Sequence, residues 1–95
     1  MRSVVTLYTK PNCPLCDEAD RTLRRCLRQW NVRYETVDIT TDPVLLQAYG
    51  QTVPVVAVDG TALFFGKISA FRLQRVLSER GIPARNRAFM RRFAR

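Results

Sequence analysis

The sequence predicts an α/β fold: a four-stranded mixed sheet with helices on both faces, in the order β-α-β-α-β-β-α. Three observations predict it. Short β-branched and apolar runs alternate with segments whose apolar residues recur every three or four positions, as strands interleaved with helices do. The first crossover, from the run at Val4 to the run at Val32, is helical and long, so the strands it joins are parallel. Asp59-Gly60 between two apolar runs is a two-residue hairpin turn, which makes the last strand pair antiparallel.

Ser3 to Thr9 is the first strand, β-branched and aromatic, and it ends at Lys10-Pro11, where proline lacks a donor and biases its predecessor to an extended form. The first helix is predicted over Leu15 to Trp30. Its inner face is Leu15, Ala19, Leu23, Cys26, Leu27 and Trp30, an arc of about 120° at helical spacing, with Asp17, Arg21, Arg24, Arg25 and Arg28 outside it. Val32 to Ile39 is the second strand. Asp42-Pro43 opens a short helix that runs to Tyr49 and is closed by Gly50. Thr52 to Val58 is an apolar strand, and Thr61 to Phe65 returns from the hairpin. Ser69 caps a last helix whose Ala70, Leu73, Val76 and Leu77 face inward, and Gly81-Ile82-Pro83 stops it. Residues 1–83 make one domain; residues 84–95 are a basic tail with five arginines, Phe89, Met90 and Phe93. The tail reads as a solvated terminal helix, with an acidic partner or RNA as the other readings.

The stretch Lys10-Pro11-Asn12-Cys13-Pro14-Leu15-Cys16 lies at the first strand-to-helix junction. With Cys13 as N-cap and Pro14 as the first helical residue, proline forfeits only an N–H that had no partner in the helix. The N–H groups of Leu15 and Cys16 then face the Cys13 sulfur, and the positive helix end favours a thiolate there. Lys10 adds positive charge, whereas Asp17 and Glu18 stabilise the helix and oppose the thiolate. Cys13 is thus the expected nucleophile, and Cys16, on the apolar arc, the shielded resolving thiol. Cys26 is expected to be core, since a free cysteine packs as a small hydrophobe and lies about 15 Å of helix from Cys16.

The chain has 95 residues, 46% of them hydrophobic, which suits one small domain and excludes general disorder. No apolar run is long enough to span a bilayer. The start, Met1-Arg2-Ser3-Val4-Val5, enters a strand without a signal-peptide core, so the expected compartment is the cytoplasm, where a cysteine pair is more often catalytic or metal-binding than structural. The net charge of +8 is almost all arginine, scattered over several elements, and reads as a solvated basic surface; nucleic acid and membrane are not expected partners. Histidine is absent, which removes Cys-His and Ser-His-Asp chemistry and ordinary His-containing zinc sites.

Leu7-Tyr8-Thr9-Lys10 with Cys13-Pro14-Leu15-Cys16, then Val37-Asp38-Ile39 and Thr52-Val53-Pro54, resemble the thioredoxin superfamily and, within it, glutaredoxin-like proteins. Cys16-Asp17-Glu18-Ala19 and Tyr49-Gly50-Gln51-Thr52-Val53-Pro54-Val55 resemble the small bacterial glutaredoxin-like group, and the likeness covers about residues 3–81. The resemblance implies a thioredoxin/glutaredoxin-like fold and a redox-active disulfide between Cys13 and Cys16. It also implies a cis Pro54 facing the pair, with Val53 offering its backbone N–H and C=O to the substrate. Substrate-binding residues are then Lys10, Pro14, Leu15, Thr52, Val53 and Pro54. Two departures stand out: Leu15 replaces the usual tyrosine, and Phe64-Phe65-Gly66-Lys67-Ile68-Ser69 lacks the Gly-Gly pair and carboxylate that hold the γ-glutamyl end of glutathione.

The function expected is a monomeric thiol–disulfide oxidoreductase serving redox homeostasis and electron transport, with a disulfide-containing protein or a small thiol compound as substrate. No bound cofactor or metal is expected. Either glutathione or thioredoxin reductase is the electron donor. The alternative is a redox-sensing or partner-binding module of the same fold without general reductase activity; a metal cluster shared between two chains ranks third.

Overall fold

The computed structural model describes residues 2–85. Seven-residue strand β1 (Ser3–Thr9) leads to helix α1 (Pro14–Cys26), a 3₁₀ turn (Leu27–Gln29) and strand β2 (Val32–Asp38). A second 3₁₀ turn (Ile39–Thr41) precedes helix α2 (Pro43–Tyr49) and strand β3 (Val55–Val58); strand β4 (Thr61–Phe65) and helix α3 (Ala70–Glu79) complete the order. The sheet order is β2-β1-β3-β4, with β1 and β2 parallel and the other pairs antiparallel. The predicted mixed four-stranded α/β architecture is the observed one.

Strand alternation decides which helix covers which face. Val5 and Leu7 of β1 and Val56 and Val58 of β3 join Ala19, Leu23 and Cys26 of α1 and Leu73 and Leu77 of α3 in one buried cluster. Leu23, Leu73, Leu77 and Trp30 are fully buried. Trp30 ties α1 to α3 by donating its indole N–H to Gln74 Oε1 at 3.0 Å. Tyr8, next in line after Leu7, points to the opposite face, where its ring meets that of Tyr49 at the end of α2, with centroids 5.0 Å apart. Helices therefore stand on both sides of the sheet.

Three boundaries differ from the sequence expectation, each for a local reason. The first helix was expected to reach Trp30, but α-helical geometry stops at Cys26 and tightens to a 3₁₀ turn, a common way to end a helix. Ile39 was expected to end the second strand. Instead the Asp38 carboxylate accepts from Thr40 N–H at 2.9 Å and from its hydroxyl at 2.7 Å, which curls the chain out of the sheet. The third strand starts at Val55, not Thr52, because the N–H groups of Thr52 and Val53 both turn back to the Tyr49 carbonyl. The hairpin is as expected: Asp59 and Gly60 take φ of 49° and 85°, and the Asp59 carboxylate accepts from Val4 N–H at 2.8 Å.

At the end of the described chain, Ala84 bridges Trp30 and the Arg85 N–H donates to the Gln29 carbonyl at 2.8 Å. The expected tail from Ala84 onward otherwise lies outside the described residues. Among the described residues no helix is long and apolar enough to cross a membrane.

Candidate functional site

β1 delivers the chain to its carboxyl end at Thr9, and the loop that follows is shaped by Asn12, whose φ of 58° is a left-handed value that asparagine tolerates. Cys13 then caps α1 in an extended conformation, with Pro14 in the first helical turn. The Cys16 N–H donates to Cys13 Sγ at 3.2 Å, so the sulfur occupies the place of an oxygen cap. Cys13 and Cys16 are joined as a disulfide, their Cα atoms 5.2 Å apart. Cys13 is half-buried, whereas Cys16 retains 1% of its exposure. One sulfur is thus open to a partner and the other is not.

The two neighbours of Cys13 within the motif both face solvent. Pro14 is exposed, and Leu15, expected on the inner face, is 47% exposed. Angular position on a helix says nothing about whether a neighbour stands opposite, and of Pro14–Asp17 only Cys16 is covered. Cys26 is where the periodicity put it, buried in the core cluster, with its thiol pushed up to about 11 by burial, the Arg25 charge acting weakly the other way.

The second half of the site comes from the segment between α2 and β3. The pairing of Tyr8 with Val55 places Pro54 alongside the end of β1, where the cysteine loop begins. The Val53–Pro54 peptide is cis. Pro54 is buried, Val53 half-buried and Thr52 exposed. The Lys10 ammonium crosses between the halves and donates to the Gly50 carbonyl at 3.1 Å, forty residues on. All the expected site residues therefore gather at one end of the sheet: Lys10, Cys13, Pro14, Leu15 and Cys16 on one segment, Thr52, Val53 and Pro54 on the other.

Three backbone groups of this second segment are already engaged. The Tyr49 carbonyl accepts the N–H of Thr52 at 2.9 Å and of Val53 at 3.0 Å, and the Gly66 N–H donates to the Pro54 carbonyl at 2.8 Å. The expectation that Val53 offers a free N–H meets an internal partner here. Gly50 makes the turn possible, since a Cβ on it would stand 2.6 Å from the Leu46 carbonyl oxygen. The region after the hairpin splits its two aromatics: Phe64 packs against the core, and Phe65 is 55% exposed.

Sequence reasoning gave Tyr8, Tyr49 and Gly50 no part in the site. The Tyr8–Tyr49 contact and the Lys10–Gly50 bond join residues about forty positions apart, which periodicity does not register. The one available signal was the Tyr49-Gly50 pair, read as a helix stop and as part of the stretch that carries the family resemblance.

Residues 4–78 match the family model of the glutaredoxin-like domain (DUF836). A protein of X. campestris solved by X-ray crystallography is 32% identical, with a TM-score of 0.65 over 79% of this chain and 96% of that one. A protein of Nitrosomonas europaea solved by NMR is 20% identical, with a TM-score of 0.67 over 77% of this chain and 88% of that one. A mutant thioredoxin from Halobacterium salinarum is 18% identical, with a TM-score of 0.65 over 81% and 73%. The last two likenesses speak for the fold alone.

Proposed function

The chain belongs to the glutaredoxin-like domain family, and on that premise we propose that it is a thiol–disulfide oxidoreductase acting through Cys13 and Cys16. The observation that carries the reading is the pairing of an accessible N-cap sulfur with a shielded one, already joined as a disulfide. A cysteine pair placed only for stability has no need of a sulfur open to partners beside one that is closed.

In the reduced state the Cys13 thiolate is stabilised by the Cys16 N–H and by the positive end of α1. It attacks one sulfur of a substrate disulfide. The substrate S–S bond breaks, a Cys13–substrate disulfide forms, and the first substrate thiolate leaves and takes a proton from water. Cys16 then loses its proton and attacks Cys13 Sγ, expelling the second substrate thiol. Two electrons have passed to the substrate, and the chain is left with the Cys13–Cys16 disulfide. A reductant returns two electrons and two protons by attacking Cys13.

Pro14, Leu15, Thr52, Val53 and Pro54 form the surface on which the substrate lies, with Lys10 positioning the turn behind it. The chemistry needs no bound organic cofactor, and the cytoplasm supplies the reducing systems it would draw on. Disulfide proteins or small thiol compounds are the substrates, and glutathione or thioredoxin reductase the donor. The test is NADPH-linked reduction of a model disulfide by the intact protein and by Cys13→Ser, once with glutathione and glutathione reductase and once with thioredoxin reductase. Cys13-dependent turnover in either system is the expected result. Silence in both would leave the redox-sensing module as the reading to pursue.

A further inference from the structure

We propose that the open edge of β2, beside the last turns of α1, is a docking site for an extended acidic peptide of a partner protein, which adds to the sheet as a further strand. Arg24, on its helical wall, lies about 16 Å of helix from Cys13, and the proposal does not depend on the oxidoreductase reading. β2 has β1 on one side and, among the described residues, no strand on the other. Val4 turns its main-chain groups to the β3 side, where its carbonyl accepts from the Asp59 N–H and its N–H donates to the Asp59 carboxylate. Strand alternation then aims the groups of Val5 and Leu7 at β2. In parallel pairing they bond the residues on either side of their register partners, which are Tyr34 and Thr36. The N–H and C=O of Tyr34 and Thr36 are thereby left facing outward, in the pattern an added strand needs.

Beside that edge, Arg24, Leu27, Arg28, Val32 and Tyr34 line a cavity of about 310 Å³. Leu27 and Val32 supply its apolar wall. The Tyr34 hydroxyl donates to Asp20 at 2.7 Å, and Arg24 Nε donates to the same carboxylate at 3.0 Å. Arg24 and Asp20 thus offset each other. Arg28 has no ion pair among the described residues and is left as the uncompensated charge. An added strand presents every second side chain to this face. An apolar residue against Leu27 and Val32, with an acidic one two positions away at Arg28, matches the lining.

Charge selects the occupant. A second copy of this chain brings another net +8, and residues 86–95 hold four arginines and no acidic side chain. A nucleic acid strand has the right sign but no peptide groups for Tyr34 and Thr36. Nor is the Tyr34 ring open to a base, since Arg24 lies over it, 5.4 Å from the centroid, and the ring packs against the core. An acidic peptide meets the charge and the main chain together.

The experiment titrates the full chain, labelled with nitrogen-15, with acetyl-Thr-Ile-Thr-Glu-Thr-amide at about physiological salt, where long-range attraction is screened. Saturable amide shifts centred on Tyr34 and Thr36 are the expected result. The same peptide with Glu→Gln should bind roughly tenfold more weakly, the worth of one charge-assisted hydrogen bond. Arg28→Glu should lose the acidic peptide by a similar factor and gain the peptide with Glu→Lys, while its spectrum away from β2 shows that it folds. Only alternate residues of an added strand face β2. Of two peptides N-methylated at opposite alternate positions, one should therefore lose binding and the other keep it. Equal binding of the Glu, Gln and Lys peptides, tolerance of both methylation patterns, or shifts that spare Tyr34 and Thr36 would overturn the proposal. So would shifts at β2 that grow with protein concentration alone, which would make the partner a second copy. An octauridylate that binds more tightly than the peptide and is lost in Arg28→Glu would replace the peptide with nucleic acid.

Discussion

Helix α1 carries a cysteine at each end, and the two sit in opposite chemical worlds. Cys13 caps the amino end, half-exposed, with an N–H aimed at its sulfur. Cys26 closes the carboxyl end inside the core, its thiol pushed up to about 11 by the loss of water. The residue type is the same, and thirteen positions of one helix separate two unlike behaviours. Reactivity here is a property of placement: the first thiol meets positive peptide dipoles and solvent, the second meets Leu23, Leu27 and their neighbours.

The hardest blow to this contrast is mutation of each cysteine in turn. Cys13→Ser should abolish disulfide turnover, a loss of a thousandfold or more on the order expected when the attacking group of a covalent step is removed. Cys26→Ala should leave turnover within about twofold; a larger loss in the standard NADPH-coupled assay would mean that the core thiol takes part.

Alkylation sharpens the same contrast in the reduced protein. At pH 7 a thiol at about 11 is ionised to roughly one part in ten thousand. Iodoacetamide should label Cys13 at least about a hundredfold faster than Cys26, read by peptide mapping. Comparable labelling would show that Cys26 is reached by solvent.

A third measurement is thermodynamic. The folded value for Cys26 lies above the unfolded one, so its contribution to stability is complete below about pH 9 and is lost as pH rises toward 11. Chemical denaturation of the oxidised protein should lose roughly 2 kcal/mol to this group across that window. The Cys26→Ala protein should lack that part of the alkaline slope, while keeping whatever Tyr34 adds, since its phenol is also held high by burial and by Asp20. Identical slopes in the two proteins would contradict the assigned burial.

The smallest effect concerns the loop in front of Cys13. Lys10→Met cuts the bond to Gly50 and should cost about 1 kcal/mol. Faster deuterium exchange at the Thr52 and Val53 amides would locate the loss in the turn. Unchanged exchange would mean that Tyr8 and Tyr49 hold the turn alone.

The fold was legible in the sequence because its signals are local: proline and glycine punctuation, β-branched runs, an Asp-Gly hairpin, and helical spacing of apolar residues. The cysteine half of the site was legible for the same reason, since N-cap, proline and both thiols lie within four residues. Errors arose where contacts between neighbours in space overrode a pattern. Leu15 keeps helical register with Ala19 yet stays 47% exposed. Thr52 and Val53 look like strand but spend their N–H groups on Tyr49. The bond from Lys10 to Gly50 joins a side chain to a backbone oxygen, and no backbone oxygen is visible in a residue pattern.

The near-total burial of Cys16 bears on traffic as well as on reactivity. In the proposed chemistry a donor and an acceptor of electrons must use the same door, Cys13, and cannot stand in it together. Each visitor departs before the next arrives, so the chain carries electrons as a ferry does, never as a bridge. Initial-rate plots against one partner at several fixed levels of the other should accordingly be parallel lines.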